Sequence, residues 1–212
     1  MAIKCIAFDC DGVILDSVGV KTKAFALLVK DYPKEKQNAF VEYHLKNGGV
    51  SRYKKFAWFF ENFLGRPITD EESKQWGKNF AYICYQELLD CQLIKGAEES
   101  LKYFYGKMPL YICSGAPTEE QASILKAHNL AHYFTDILGS PPDKATVLKT
   151  IVERESLTPT QVLMVGDAKT DLDAAQTVGT NFFGVGGLKV PDKYISKPDL
   201  QEFRSYVDNY NQ

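Results

Sequence analysis

Two short stretches concentrate carboxylates beside a glycine. FDCDGVILDS carries Asp9, Asp11, Asp16 and Ser17, with Gly12 directly after the first pair. VGDAKTDLDAAQ carries Asp167 after Gly166, then Asp171 and Asp173. Asp9 and Asp11 bracket a single residue, and carboxylates so close repel unless a cation or a shared proton offsets them. A hard divalent ion with oxygen ligands does so, and Mg²⁺ is the usual one where phosphate is also bound. A solvated turn capping a helix is the other reading of a lone D-x-D. In YICSGAPTEE, Ser114 and Gly115 fall where a strand gives way to a helix, a place suited to anions; Ser114 as a plain N-cap is the alternative. In GSPPDKATVL, Lys144 opens a helix after two prolines, and such a lysine taken alone is usually just exposed.

The elements that must position these groups follow from apolar patterning. Ile3–Phe8, Leu110–Cys113, Ile137–Leu138 and Val162–Val165 are short apolar runs ending in polar or glycine clusters. Three are nearly continuous, as strands covered on both faces are. Glu119–His128 and Lys144–Glu155 are patterned as helices between them, so strand and helix alternate in an α/β, doubly wound, Rossmann-like parallel sheet. Ligands bind such sheets outside the carboxyl ends of the strands, where Asp9 and Asp167 stand. Asp171, Ala174, Ala175 and Val178 share one helical face, which turns Asp171 inward beside Asp167. Asp173 lies off that face, where a first-turn carboxylate favours the helix dipole.

The rhythm breaks between residues 18 and 93, which read as helical, aromatic-rich and without a strand. Tyr53, Phe56, Ala57, Phe60, Phe63 and Leu64 fall on one helical stripe, and Thr69 with Glu72 forms a capping-box pattern. The expected organisation is a core of residues 1–17 and 94–212 with a helical cap of residues 18–93 inserted after the first strand. Gly19, Val20 and the segment Leu93–Gly96 are the expected hinges.

The chain has 212 residues, 45% apolar and 25% charged, with a net charge of -2. That length buries a core without staples, and the charge balance argues against a nucleic-acid partner. No apolar run approaches the roughly 20 residues that span a bilayer, so no membrane partner is expected. The strand at Met1–Phe8 leaves no room for a cleavable leader, and Cys5, Cys10, Cys84, Cys91 and Cys113 show no C-x-x-C pair. The expectation is a reduced, cytoplasmic protein without structural zinc. His44, His128 and His132 lack a ligand set and read as surface or packing residues. Gly184–Leu188 lacks dinucleotide-loop spacing. Trp58 and Trp76 read as cap core, or as part of a dimer surface.

The order FDCDGVILDS, CSG, PPDK, GDAKTD resembles the four sequential motifs of the haloacid dehalogenase superfamily, from Asp9 to at least Gly186. The helical insertion is similar to the cap of that superfamily's phosphoglycolate phosphatase and β-phosphoglucomutase branch. The resemblance implies Asp9 as the nucleophile that forms an aspartyl-phosphate and Asp11 as the acid, then the base. It implies Mg²⁺ held by Asp9, the Asp11 carbonyl and Asp167, with Asp171 supporting through ligation or water. Ser114, Gly115 and Lys144 would hold the transferring phosphoryl group. A carboxylate at position 11 argues for phosphate chemistry over dehalogenation, because an alkoxide leaving group needs a proton and a halide does not.

In NGGVSRYKKF, Arg52 and Lys55 share a face at a helix start, where cations oppose the dipole. They are either a solvated polar face or substrate-binding residues for an anion. GVSR resembles the substrate-facing loop of β-phosphoglucomutase, where the arginine holds a second phosphate. The functional expectation is a Mg²⁺-dependent phosphatase acting on a small-molecule phosphate ester, an anionic acid or sugar phosphate. A sugar-phosphate mutase is the alternative, and a non-catalytic binding or regulatory protein the third reading.

Overall fold

The computed structural model describes residues 2–212. Its strands are β1 (Cys5–Phe8), β2 (Leu110–Cys113), β3 (Asp136–Leu138), β4 (Val162–Gly166), β5 (Asn181–Gly184) and β6 (Ile195–Ser196). They form one parallel sheet in the order β3-β2-β1-β4-β5-β6. The expected doubly wound α/β fold is present, with two strands more than the four apolar runs indicated. β5 holds only two apolar side chains, Phe182 and Phe183, between Asn181 and Gly184, and β6 has two residues, too few to show a period.

Period-two alternation explains why the central runs are continuously apolar. Ile6 and Phe8, Leu110 and Ile112, and Leu163 and Val165 face one core layer. Cys5 and Ala7, Tyr111 and Cys113, and Val162 and Met164 face the other. Helices α5 (Ala97–Phe104), α6 (Thr118–Ala127) and α9 (Phe203–Tyr210) contribute to the first layer. Helices α7 (Lys144–Arg154) and α8 (Lys169–Val178) contribute to the second.

Helices α1 (Val18–Leu28), α2 (Lys34–Lys46), α3 (Arg52–Phe59) and α4 (Asp70–Asp90) gather around their own aromatic cluster, including Phe25, Phe40, Phe56, Phe59 and Phe80. Thr69 and Glu72 form the expected capping box on α4. Ser51 precedes α3, but its side chain makes no capping hydrogen bond. The helix expected through Leu64 changes to a single π turn over Phe60–Leu64 and stops at Gly65, whose φ is +67°. Phe59, off the expected stripe, is fully buried. Gly19 and Val20 lie within α1 rather than at a crossing. The chain leaves and re-enters the sheet along residues 14–16 and 92–94, tied by Asp16 N–H to Gln92 O (2.9 Å) and Ile94 N–H to Ile14 O (3.0 Å). Among the described residues no helix is long and apolar enough to cross a membrane.

Candidate active site

The carboxyl ends of β1, β2 and β4 converge with the first turns of α7 and α8. Asp9 follows β1; its N–H donates to Val165 O (2.8 Å), and its Oδ1 accepts from Cys10 N–H (2.7 Å). Asp167 follows β4, and Gly12 (φ +80°) makes room for it: a Cβ at Gly12 would lie 2.2 Å from Asp167 Oδ2. Asp171 is fully buried, and its Oδ2 accepts from Ala168 N–H (3.1 Å). A Cβ at Gly166 would meet Asp171 at 2.2 Å, so only glycine lets that carboxylate come so close to the strand end. Asp173 stays outside, paired with Lys169.

Lys144 is not an exposed lysine. Its Nζ donates to Asp9 Oδ2 (2.6 Å) and Asp171 Oδ1 (2.5 Å). Asp143 caps α7, its Oδ1 accepting from Thr146 N–H (2.9 Å), with Lys144 as the first residue of the helix. Burial works against the Lys144 charge, but Asp171 and Asp9 outweigh it and hold the ammonium above its usual range. The carboxylates remain in excess. Burial drives Asp9 well above the carboxylate range, with Lys144 opposing and Asp171 and Asp167 adding to it. Burial and then Asp171 raise Asp167 to about 7.

Oxygens of Asp9, Asp167 and Asp171 all lie within 4.8 Å of one another. Three carboxylates, two of them buried and Asp167 partly so, face one ammonium, and an all-oxygen donor set of this kind fits Mg²⁺.

Ser114 is buried at the end of β2, its Oγ accepting from Ala116 N–H (3.1 Å). Helix α6 begins later, with Pro117 at its N-cap, so Ser114 is not that cap. Gly115 is covered by the helical side: a Cβ there would lie 2.2 Å from Gly49 O. Thr170 Oγ1 donates to Gly48 O (2.9 Å), seating the same loop on the sheet end.

Asp11 accepts from Ser17 Oγ (2.5 Å), Gln121 Nε2 (3.1 Å) and Lys21 Nζ. Burial raises its pKa, but the Lys21 ammonium and the hydrogen bonds from Lys21 and Ser17 outweigh that and leave it below the usual value. Lys21 and Gln121 were not among the expected site residues. Val18, Lys21 and Phe25 share the i, i+3, i+7 face of α1 and all line the cavity, which is the signal that could have found Lys21.

Arg52 and Lys55 are buried, 6% and 3% exposed, which rules out a solvated face. Arg52 pairs through Nη2 with Glu120 and lies 4.8 Å over the Phe80 ring, while its buried Nη1 has no partner among the described residues. Lys55 Nζ meets His44 Nδ1 at 2.9 Å, and His44 Nε2 meets Thr22 Oγ1 at 3.1 Å. Burial, then Lys21, lowers Lys55 to about 7, and burial, then Lys55, lowers His44 to about 3. His44 is therefore neutral, its Nδ1 accepting from Lys55 and its Nε2–H facing Thr22, a tautomer assigned from the network. Asp9, Asp11, Lys21, Arg52, Lys55 and Asp167 line a cavity of about 100 Å³ between sheet end and helices.

The model of the haloacid dehalogenase-like hydrolase family matches residues 3–179. The phosphoglycolate phosphatase of Aliivibrio fischeri is 26% identical over 194 residues, covering 86% of this chain and 84% of that protein. A hydrolase from Pseudomonas syringae superposes with a TM-score of 0.79 at 19% identity, covering 99% of this chain and all of that one (100%). A β-phosphoglucomutase from Clostridium difficile superposes with a TM-score of 0.77 at 16% identity, covering 99% and 97%; at these identities the two structures attest the fold. With its strand-end carboxylates and buried lysine in the family's order, this chain belongs to the haloacid dehalogenase-like hydrolases.

Proposed function

We propose that the protein is a Mg²⁺-dependent phosphatase that hydrolyses a phosphomonoester of a small anionic metabolite through an aspartyl-phosphate. The observation that carries this reading is the meeting of Asp9, Asp167, Asp171 and Lys144 at one sheet end. An Asp9 carboxylate oxygen bonds to phosphorus as the ester P–O bond breaks, and Asp11 gives the departing alkoxide its proton. Water then attacks the acyl-phosphate and passes a proton to Asp11, releasing phosphate and restoring Asp9. Ser114, the Gly115 backbone and Lys144 hold the phosphoryl oxygens, a task of position and charge. Asp9, the Asp11 carbonyl and Asp167 would hold Mg²⁺, with Asp171 supporting; the ion supplies positive charge beside the transferring phosphoryl group.

As it stands, Asp11 is ionised by Lys21 and suited to the second, proton-accepting half. Donation in the first half requires Lys21 to turn away, and an anionic substrate in the cavity draws it. Residues 18–93 then act as a cap, and Arg52, Lys55 and Lys21 meet the substrate's acidic group. The unpartnered Arg52 Nη1 supports this, since a buried donor without an acceptor is costly. A mutase would place a second phosphate on the same cations.

Phosphate release from a panel of phosphomonoesters, with Mg²⁺ or chelator, tests the reading. The expected result is Mg²⁺-dependent release that Asp9→Asn lowers by about a thousandfold or more. Interconversion of sugar phosphates with a bisphosphate activator and little net release would favour the mutase. Ligand binding without turnover, indifferent to Asp9→Asn, would leave a binding protein.

A further inference from the structure

The chemistry just proposed leaves an adjoining cavity on the α4–α6 side unused. Between α4 and α6 lies a compartment of about 210 Å³ that shares Asp11, Lys21, Arg52, Phe80 and Ala116 with the catalytic cavity. Its other walls are of a different character. Ala81, Cys84 and Leu88 come from α4, Ile124 from α6 and Leu15 from below. Cys84 is a neutral thiol, pushed up to about 11 by burial. Its α6 side also carries polar residues: Glu120 pairs with Arg52 and Gln121 with Asp11, while Glu119 and Ser123 are exposed to solvent. An apolar cavity of ~150 Å³ accepts a benzene ring, so this one has room for an aromatic ring or a short aliphatic chain.

We propose that this compartment is the subsite for the carbon body of the leaving alcohol, and that the substrate is a phosphomonoester whose alcohol carries an apolar aliphatic or aromatic portion. The proposal rests on the phosphatase reading. Asp11 stands on the wall common to both compartments, and the oxygen it protonates is the one bonded to the leaving group. A leaving group that continues past Asp11 enters the apolar compartment. The other compartment, with Lys55 and His44, suits an acidic substituent and disfavours hydrocarbon. The two compartments together describe an amphipathic alcohol, acidic on one side and apolar on the other.

The test is a series of n-alkyl phosphates from ethyl to hexyl, read as kcat/KM on the wild type and as binding by calorimetry to Asp9→Asn with Mg²⁺. Both are expected to rise roughly three- to fourfold per methylene until the compartment is full. Cys84→Phe and Ile124→Phe narrow it from opposite walls, and whichever of them folds, judged by circular dichroism and Tm, should flatten that rise. Turnover with no dependence on chain length, in rate and in binding, would overturn the subsite and leave the phosphatase intact. A rise that survives a folded narrowing variant would also overturn it. No turnover of any ester, with binding that still climbs with chain length, would remove the phosphatase and keep the subsite.

Discussion

The two walls of the catalytic cavity are electrical opposites. At the sheet end, Asp9, Asp167 and Asp171 share one lysine, and burial pushes Asp9 and Asp167 toward the protonated state. On the helical side, Lys21, Arg52 and Lys55 share few carboxylates, and burial pushes Lys55 and His44 toward the deprotonated state. Each wall carries a desolvated excess of one charge, carboxylates beyond Lys144 on the first and Lys55 beyond the Lys21–Asp11 and Arg52–Glu120 pairs on the second, which is costly to fold. A divalent cation relieves the first and an anion the second. What binds between them is expected to carry both, which describes a metal-associated phosphate ester with a further acidic group.

Breaking that opposition at the sheet end should have the largest effect. Lys144→Met leaves the carboxylates unpaired and is expected to cost about 3–5 kcal/mol of stability, measurable by chemical denaturation at pH 7.5. Mg²⁺ should restore more of the lost Tm in this variant than it adds to the wild type. Lower pH should also narrow the gap, because protonated carboxyls need no partner. Next comes the fit of the walls. Gly115→Ala puts a methyl 2.2 Å from the Gly49 backbone oxygen, so the loop must shift from the sheet end, and steady-state kinetics should show kcat/KM falling by about a hundredfold together with a lower Tm. On the helical wall, Arg52→Met should raise KM for acidic esters by roughly tenfold or more while changing it less for uncharged ones. Arg52→Lys should rescue poorly, since a lysine cannot span Glu120 and a ligand with a planar fork.

Lys55→Met sharpens the comparison with the smallest change. The folded Lys55 titrates near 7 and the unfolded side chain near 10.5. Between those values the unfolded chain holds the extra proton, so Lys55 makes stability rise with pH across that window. Removing it should raise Tm by a few degrees at pH 8 and weaken that slope. Anion binding should draw a proton onto Lys55, opposed by the neighbouring Lys21 and with His44 staying neutral. Calorimetry on Asp9→Asn in buffers of different ionisation enthalpy should therefore show proton uptake near pH 8, absent in Lys55→Met.

The sheet-end cluster was legible because its parts are local: a short apolar run, a glycine, a carboxylate, and a helical spacing that separates inward Asp171 from outward Asp173. Lys144 and Ser114 gained meaning from their order along the chain, since each alone had an ordinary explanation. The opposite wall was half hidden. Gln121 reaches Asp11 across 110 positions, and Glu120 reaches Arg52 across 68. Such pairings have no short-range pattern. Phe59 was missed because it shares the helical face of Arg52 and Lys55, which residue type marks as polar although all three are buried. Of the two expected hinge segments, Leu93–Gly96 overlaps the crossing, whereas Gly19 and Val20 lie within α1: the crossing is a backbone pairing of residues 14–16 with 92–94, which side-chain composition does not encode.

That crossing bears on how fast the protein can fold. β1 and β2 are neighbours in the sheet yet about a hundred residues apart in sequence, a separation that ordinarily slows assembly through the entropy of closing so large a loop. The intervening helices are rich in local contacts and bring their two ends together at Asp16 and Gln92. Formed first, they would reduce the loop that β1 must close to the stretch from residue 92 to β2. Helical signal in a stopped-flow experiment should then precede burial of the central strands, and loosening the aromatic cluster should slow the formation of a sheet it does not belong to.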